Sequence, residues 1–202
     1  MATIVVGGHS RNIGKTSVAA GLIAAFVDRG WVAMKITQYG HGICSINGKS
    51  CHCAVDEHSH VLLEETSMQG TSDSARFLAA GARRSLWLRT KMGQLERAVP
   101  ALDFILESEP FVIIESNSIL RFIQPDIYIA VLKYDVSDFK QSAREFLGRA
   151  DALVVVQPAR EPPLWSNVSL DLLADVPKFA AAPPDYVSRS LIGFVGSRLA
   201  TL

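Results

Sequence analysis

The stretch GGHSRNIGKTS, residues 7–17, lies between the apolar run TIVV and the small-residue segment VAAGLIAAFVDRG. A loop of this kind constrains a chain strongly. Its glycines let backbone approach a ligand, the helix that follows offers free N–H groups, and a lysine beside them reaches terminal phosphates. Gly7 and Gly8 end the apolar run, Gly14 opens the helical segment, and Lys15 and Thr16 follow at once. Gly8, Asn12, Ile13, Gly14, Lys15, Thr16 and Ser17 are therefore the expected cradle, with Lys15 on the phosphates and the Thr16 hydroxyl on Mg²⁺. Gly8 and Gly14 enclose five residues, one more than the spacing G-x4-G-K-[ST], which would need glycine where His9 stands. The competing interpretation is an ordinary strand-to-helix turn with a surface lysine.

The rest of the chain agrees with a phosphate-binding α/β protein. Short β-rich runs alternate with helical segments, which predicts a three-layer fold: a mostly parallel sheet with helices on both faces. Strands are expected near 2–7, 32–37, 85–89, 111–115, 127–132, 152–157 and 177–181. Helices are expected at 14–28, 73–81, 91–107, 138–148, 165–174 and 187–200. One domain over 1–202 is the simplest organisation, interrupted by an irregular polar insertion at about 40–72. The 20 basic and 20 acidic side chains balance, which argues against a general nucleic-acid or membrane-surface binder. No apolar stretch approaches the roughly 18 residues of a membrane span. The N-terminus does not read as a secretory signal, and three cysteines within residues 44–53 do not make a disulfide framework. The expected location is the cytoplasm.

The motif GHSRNIGKT resembles the G-x5-G-K-T loop of dethiobiotin synthetase and of the dimerising P-loop class that includes the nitrogenase iron protein. Dethiobiotin synthetase carries an aspartate two places after the first glycine, where this chain has Ser10. The second strand ends AMKITQYGHG, and its K-x-x-Q-x-G is similar to the family's lysine motif. That resemblance implies that Lys35 stabilises charge at the γ-phosphate. PFVIIES delivers Glu115 at a strand's carboxyl end, where open α/β sheets keep their ligands. In the relatives such a glutamate serves the magnesium ion or its water, and ESNS here replaces their glycine-rich sequel. The segment GTSDSARFLAAGA (70–82) resembles one in the molybdopterin-guanine dinucleotide biosynthesis adapter family. Thr71 or Ser72 is expected to cap a helix there, with Asp73 and Arg76 facing the nucleotide or its partner. The likeness spans roughly residues 1 to 157. No N-K-x-D sequence follows a late strand, so the choice between ATP and GTP stays open. Base contacts are expected from Gln157, Pro158 and residues 179–185.

All three cysteines and four of the five histidines fall within residues 41–60. His41, Cys44, Cys51, Cys53, His58 and His60 offer more ligands than zinc needs, and an iron–sulfur cluster is also conceivable. The spacing C-x6-C-x-C matches no standard site, so an unliganded loop is an equal expectation.

These observations lead to an expected Mg²⁺-dependent nucleoside triphosphate-binding protein. Its activity would be ATP or GTP hydrolysis, or a ligase-type reaction similar to dethiobiotin synthetase, with Lys15, Lys35 and Glu115 catalytic. The alternatives are a GTP-binding adapter in molybdenum cofactor biosynthesis and a metallocofactor-handling NTPase that uses the Cys/His loop. A second substrate or partner protein and a homodimer are expected in each case.

Overall fold

The computed structural model describes residues 1–39, 59–166, 168, 170 and 173–202. Eight strands form one sheet: β1 (Ala2–Gly8), β2 (Val32–Tyr39), β3 (His60–Glu64), β4 (Arg84–Lys91), β5 (Phe111–Glu115), β6 (Ile127–Leu132), β7 (Ala152–Val156) and β8 (Lys178–Ala181), in the order β3-β4-β2-β5-β1-β6-β7-β8. Every neighbouring pair is parallel except β3 with β4. Among the described residues five α-helices accompany them: α1 (Lys15–Ala25), α2 (Asp73–Ala79), α3 (Val99–Ser108), α4 (Gln141–Phe146) and α5 (Arg189–Leu199).

The strand period of two divides the apolar residues between two cores. Along β6, Tyr128, Ala130 and Leu132 face one core with Leu102 and Ile105 of α3 and Ala143 and Phe146 of α4. Ile127, Ile129 and Val131 face the other, with Val18, Leu22 and Ile23 of α1, Phe77 of α2 and Leu191 and Val195 of α5. Helices thus cover both faces, and the chain has the three-layer α/β fold expected from its sequence. All six residues of β6 and all five of β7 are buried, which is why these strands read as continuous apolar runs rather than alternating ones. Each large side chain so buried contributes about 1.5–3 kcal/mol.

Three expectations need correction. The strand β3 was missed: it is short, and its Val61, Leu62 and Leu63 stay partly exposed at the sheet's edge. The helix expected over 91–107 is broken at its start. There β4 runs on to Lys91, Gly93 takes a left-handed φ of 75°, and a 3-10 turn at Leu95–Ala98 leads into α3, whose first turn holds Pro100. Of the helix expected over 165–174, residues 165, 166, 168, 170, 173 and 174 are described, and none is α-helical. Among the described residues no helix is long and apolar enough to cross a membrane.

Candidate functional site

Parallel order brings the carboxyl ends of β1, β2 and β5 to one edge of the sheet, and the glycine-rich loop leaves β1 there. Gly8 lies against β6, where a Cβ would come within 2.7 Å of the Val131 carbonyl oxygen. Since that oxygen belongs to the sheet, only glycine fits. Asn12 (φ 55°) and Gly14 (φ 97°) are both left-handed, a backbone form that turns successive N–H groups toward one point. Helix α1 then starts without a side-chain cap. By contrast, Ser72 accepts from Ala75 N at the start of α2, and Ser188 accepts from Leu191 N at the start of α5. The starts of α3 and α4 also lack a side-chain cap, but that of α1 follows directly on the left-handed loop, where a helix N-terminus offers N–H groups to a ligand.

Side chains from four elements meet beside these donors. The Thr16 hydroxyl donates to Glu115 Oε2 at 2.7 Å. The Lys35 ammonium donates to Glu115 Oε1 and lies 2.9 Å from Asp73 Oδ2. Glu115 is only 2% exposed, so its charge depends on these two donors. Arg76, one turn after Asp73, donates to Ser17 Oγ at 2.8 Å. Burial opposes the Lys35 charge, yet the two carboxylates outweigh it and raise its pKa. Burial likewise raises the Asp73 pKa, but the Lys35 ammonium more than reverses this and holds the acid ionised. Lys15 donates to the Ser10 carbonyl. Burial, only partly offset by Glu115, lowers its pKa to about 8.

The extra length of the loop is tied down on its other side. The His9 ring is wholly buried, stacked 5.1 Å from Phe139 and lying tilted 4.7 Å from Trp165. Its Nδ1 lies 2.8 Å from the Asp138 carbonyl and Nε2 accepts from Lys133 N at 3.0 Å. Nε2 also lies 3.0 Å from the Lys133 carbonyl, and burial lowers the pKa of the ring against the two carbonyls that face it. Ser10 Oγ donates to Asp138 Oδ2 at 2.7 Å. From the opposite side Asn117 grips Gly8, accepting from its N–H and donating to its carbonyl, each at 2.8 Å.

Two cavities open around the loop. The larger, about 1100 Å³, holds the cluster just described and is also lined by Arg121 and Lys140. The smaller, about 660 Å³, lies beyond Asn12, Ile13 and Tyr186, between Gln157–Pro158 and Ala182–Pro183. Gly8 packs at the strand end, while the other expected cradle residues, Asn12, Ile13, Gly14, Lys15, Thr16 and Ser17, line the larger cavity together with Lys35, Asp73, Arg76 and Glu115. Asn117, Tyr186 and Lys140 were missed. Their roles depend on contacts across more than a hundred residues, and no local pattern signals them. His41, Cys44, Cys51, Cys53 and His58 lie outside the described residues. His60 begins β3, with Nδ1 3.0 Å from Ser59 Oγ. Among the described residues no three His, Cys, Asp or Glu side chains group as a metal site.

No family model matches the chain, and no curated protein matches it either. Among solved structures, HypB from Helicobacter pylori in complex with nickel is similar at a TM-score of 0.48 and 15% identity, over 100% of this chain and 86% of that one. The apo form of LpxK from Aquifex aeolicus, in complex with ATP, is similar at 0.47 and 19%, over 89% of this chain and 53% of that one.

Proposed function

We propose that this chain is a single nucleotide-binding domain that takes a nucleoside triphosphate, ATP or GTP, with Mg²⁺ and hydrolyses or transfers its terminal phosphoryl group. The observation that carries this reading is the uncapped, left-handed loop at α1, set beside the Thr16–Glu115–Lys35–Asp73 cluster. Lys15 and the loop N–H groups hold the phosphates. Lys35 lies midway along β2, level with Glu115 at the end of β5, faces the same cavity, and neutralises charge on the phosphoryl group as it moves. The hydroxyl of Thr16 and the carboxylate of Glu115 are hard oxygen donors 2.7 Å apart, a set that suits Mg²⁺. The ion would offset phosphate charge when bound. The smaller cavity, bounded by Gln157, Pro158, Ala182 and Pro183, receives the nucleoside.

Phosphate release from ATP and GTP, with and without Mg²⁺, tests the proposal. Release that needs Mg²⁺ and is lost in Lys35→Ala supports it. A rate no faster than the buffer's with either nucleotide argues instead for an adapter that binds without turnover. Ser10 favours that second reading. Where dethiobiotin synthetase offers a carboxylate, this chain has a hydroxyl already committed to Asp138. A homodimer, and zinc or iron held by the Cys/His loop, remain part of the proposal and have their own tests below.

A further inference from the structure

We propose that Lys140 is a second phosphate-binding lysine, carried to the loop by a staple built on His9 and Ser10. The inference rests on the nucleotide reading above and extends it to a residue outside the loop motif.

Lys140 lies just before α4 and lines the same cavity as Lys15, Lys35 and Glu115. Its backbone N–H donates to the His9 carbonyl at 2.8 Å, so its Cα is fixed against the loop. Two further bonds hold the same segment: the His9 ring to the Asp138 carbonyl at 2.8 Å, and Ser10 Oγ to Asp138 Oδ2 at 2.7 Å. The five-residue spacing thus divides its labour. Asn12 and the residues after it shape the phosphate side, while His9 and Ser10 bond away from it to residues 133–140.

Charge supplies the second argument. The Lys35 ammonium is answered by Glu115 and Asp73. Among the described residues the Lys140 ammonium has no hydrogen bond or ion pair, and Lys15 donates only to a carbonyl. Burial and the neighbouring Arg11 guanidinium destabilise the Lys140 charge more than the Asp138 and Glu115 carboxylates favour it, and Lys140 in turn disfavours the charge on Lys15. Two half-buried ammonium groups facing one cavity are unfavourable unless an anion lies between them. A polyphosphate end, with several charged oxygens, satisfies both at once.

Calorimetric titration of a non-hydrolysable triphosphate analogue with Mg²⁺ into the parent, Lys140→Gln, Lys140→Arg and Lys15→Ala tests the proposal. Lys140→Gln should bind at least about tenfold more weakly, Lys140→Arg should recover most of that loss, and the melting temperature of Lys140→Gln should not fall below the parent's. Binding by Lys140→Gln within about twofold of the parent overturns the proposal, as does a loss that Lys140→Arg does not recover. If Lys15→Ala also binds as the parent does, the nucleotide reading itself fails. If only Lys15→Ala loses binding, the reading stands and the role of Lys140 falls.

Discussion

Lys15→Met should make the protein more stable while removing its ligand. Burial in the loop moves the Lys15 pKa from 10.5 to about 8, and at 1.36 kcal/mol per unit this is a penalty of about 3 kcal/mol on the charged form. The folded-state pKa lies below the unfolded one, so between about pH 8 and 10.5 the unfolded chain binds more protons and stability rises with pH. Below pH 8 both states are protonated and the whole penalty is present. Methionine keeps most of the side-chain volume and carries no charge. Allowing for the lost hydrogen bond to the Ser10 carbonyl and for screening at the cavity mouth, the net gain at pH 7 is about 2 kcal/mol. For a chain of this size that raises the melting temperature by about 4–8 °C. Calorimetric melting of parent and variant at pH 7 and pH 10 measures it. The advantage should be present at the lower pH and shrink toward zero or below at the higher. A variant that melts at or below the parent at pH 7, or a gap indifferent to pH, refutes the reasoning.

Glu115→Gln removes the acid that receives both Thr16 and Lys35. It should lower stability by about 2 kcal/mol in urea denaturation and abolish phosphate release, and unchanged values for both would remove Glu115 from the site. The chain should be a dimer in light scattering, and a monomer with and without nucleotide would reject that. Protein purified without chelator should carry near one equivalent of zinc or iron, lost in the double variant Cys51→Ser with Cys53→Ser. Because thiolate ligands must be deprotonated, that binding should weaken below neutral pH. Metal content equal in parent and variant would count against the Cys/His loop.

The sheet was legible because its central strands are buried on both faces and so appear as unbroken apolar runs, as in the IYIAVL of β6. The loop was legible because close backbone approach and a free helix start need glycine and lysine in fixed order. Glu115 was legible for a related reason: an acid closing an apolar strand must have a partner, and the structure supplies Thr16 and Lys35. What stayed hidden depends on tertiary contact. His9 looked like an irregularity in a motif, and only the fold reveals the aromatic pocket and the two backbone groups that make it a staple. Asn117 lay unremarked in the ESNS that replaces the relatives' glycine-rich sequel, yet its amide fits the backbone of Gly8 109 residues away. The β3 strand escaped notice because an edge position demands little burial from Val61, Leu62 and Leu63.

The central claim is that residues 8–17 hold a nucleoside triphosphate. Titration of ATP and of GTP with Mg²⁺ into the purified chain tests it most directly. The account predicts one site per chain for at least one of the two, at micromolar to sub-millimolar affinity, weakened at least about tenfold, or about 1.4 kcal/mol, in Lys15→Ala. No binding of either nucleotide by the parent, or equal affinity in parent and variant, would contradict it.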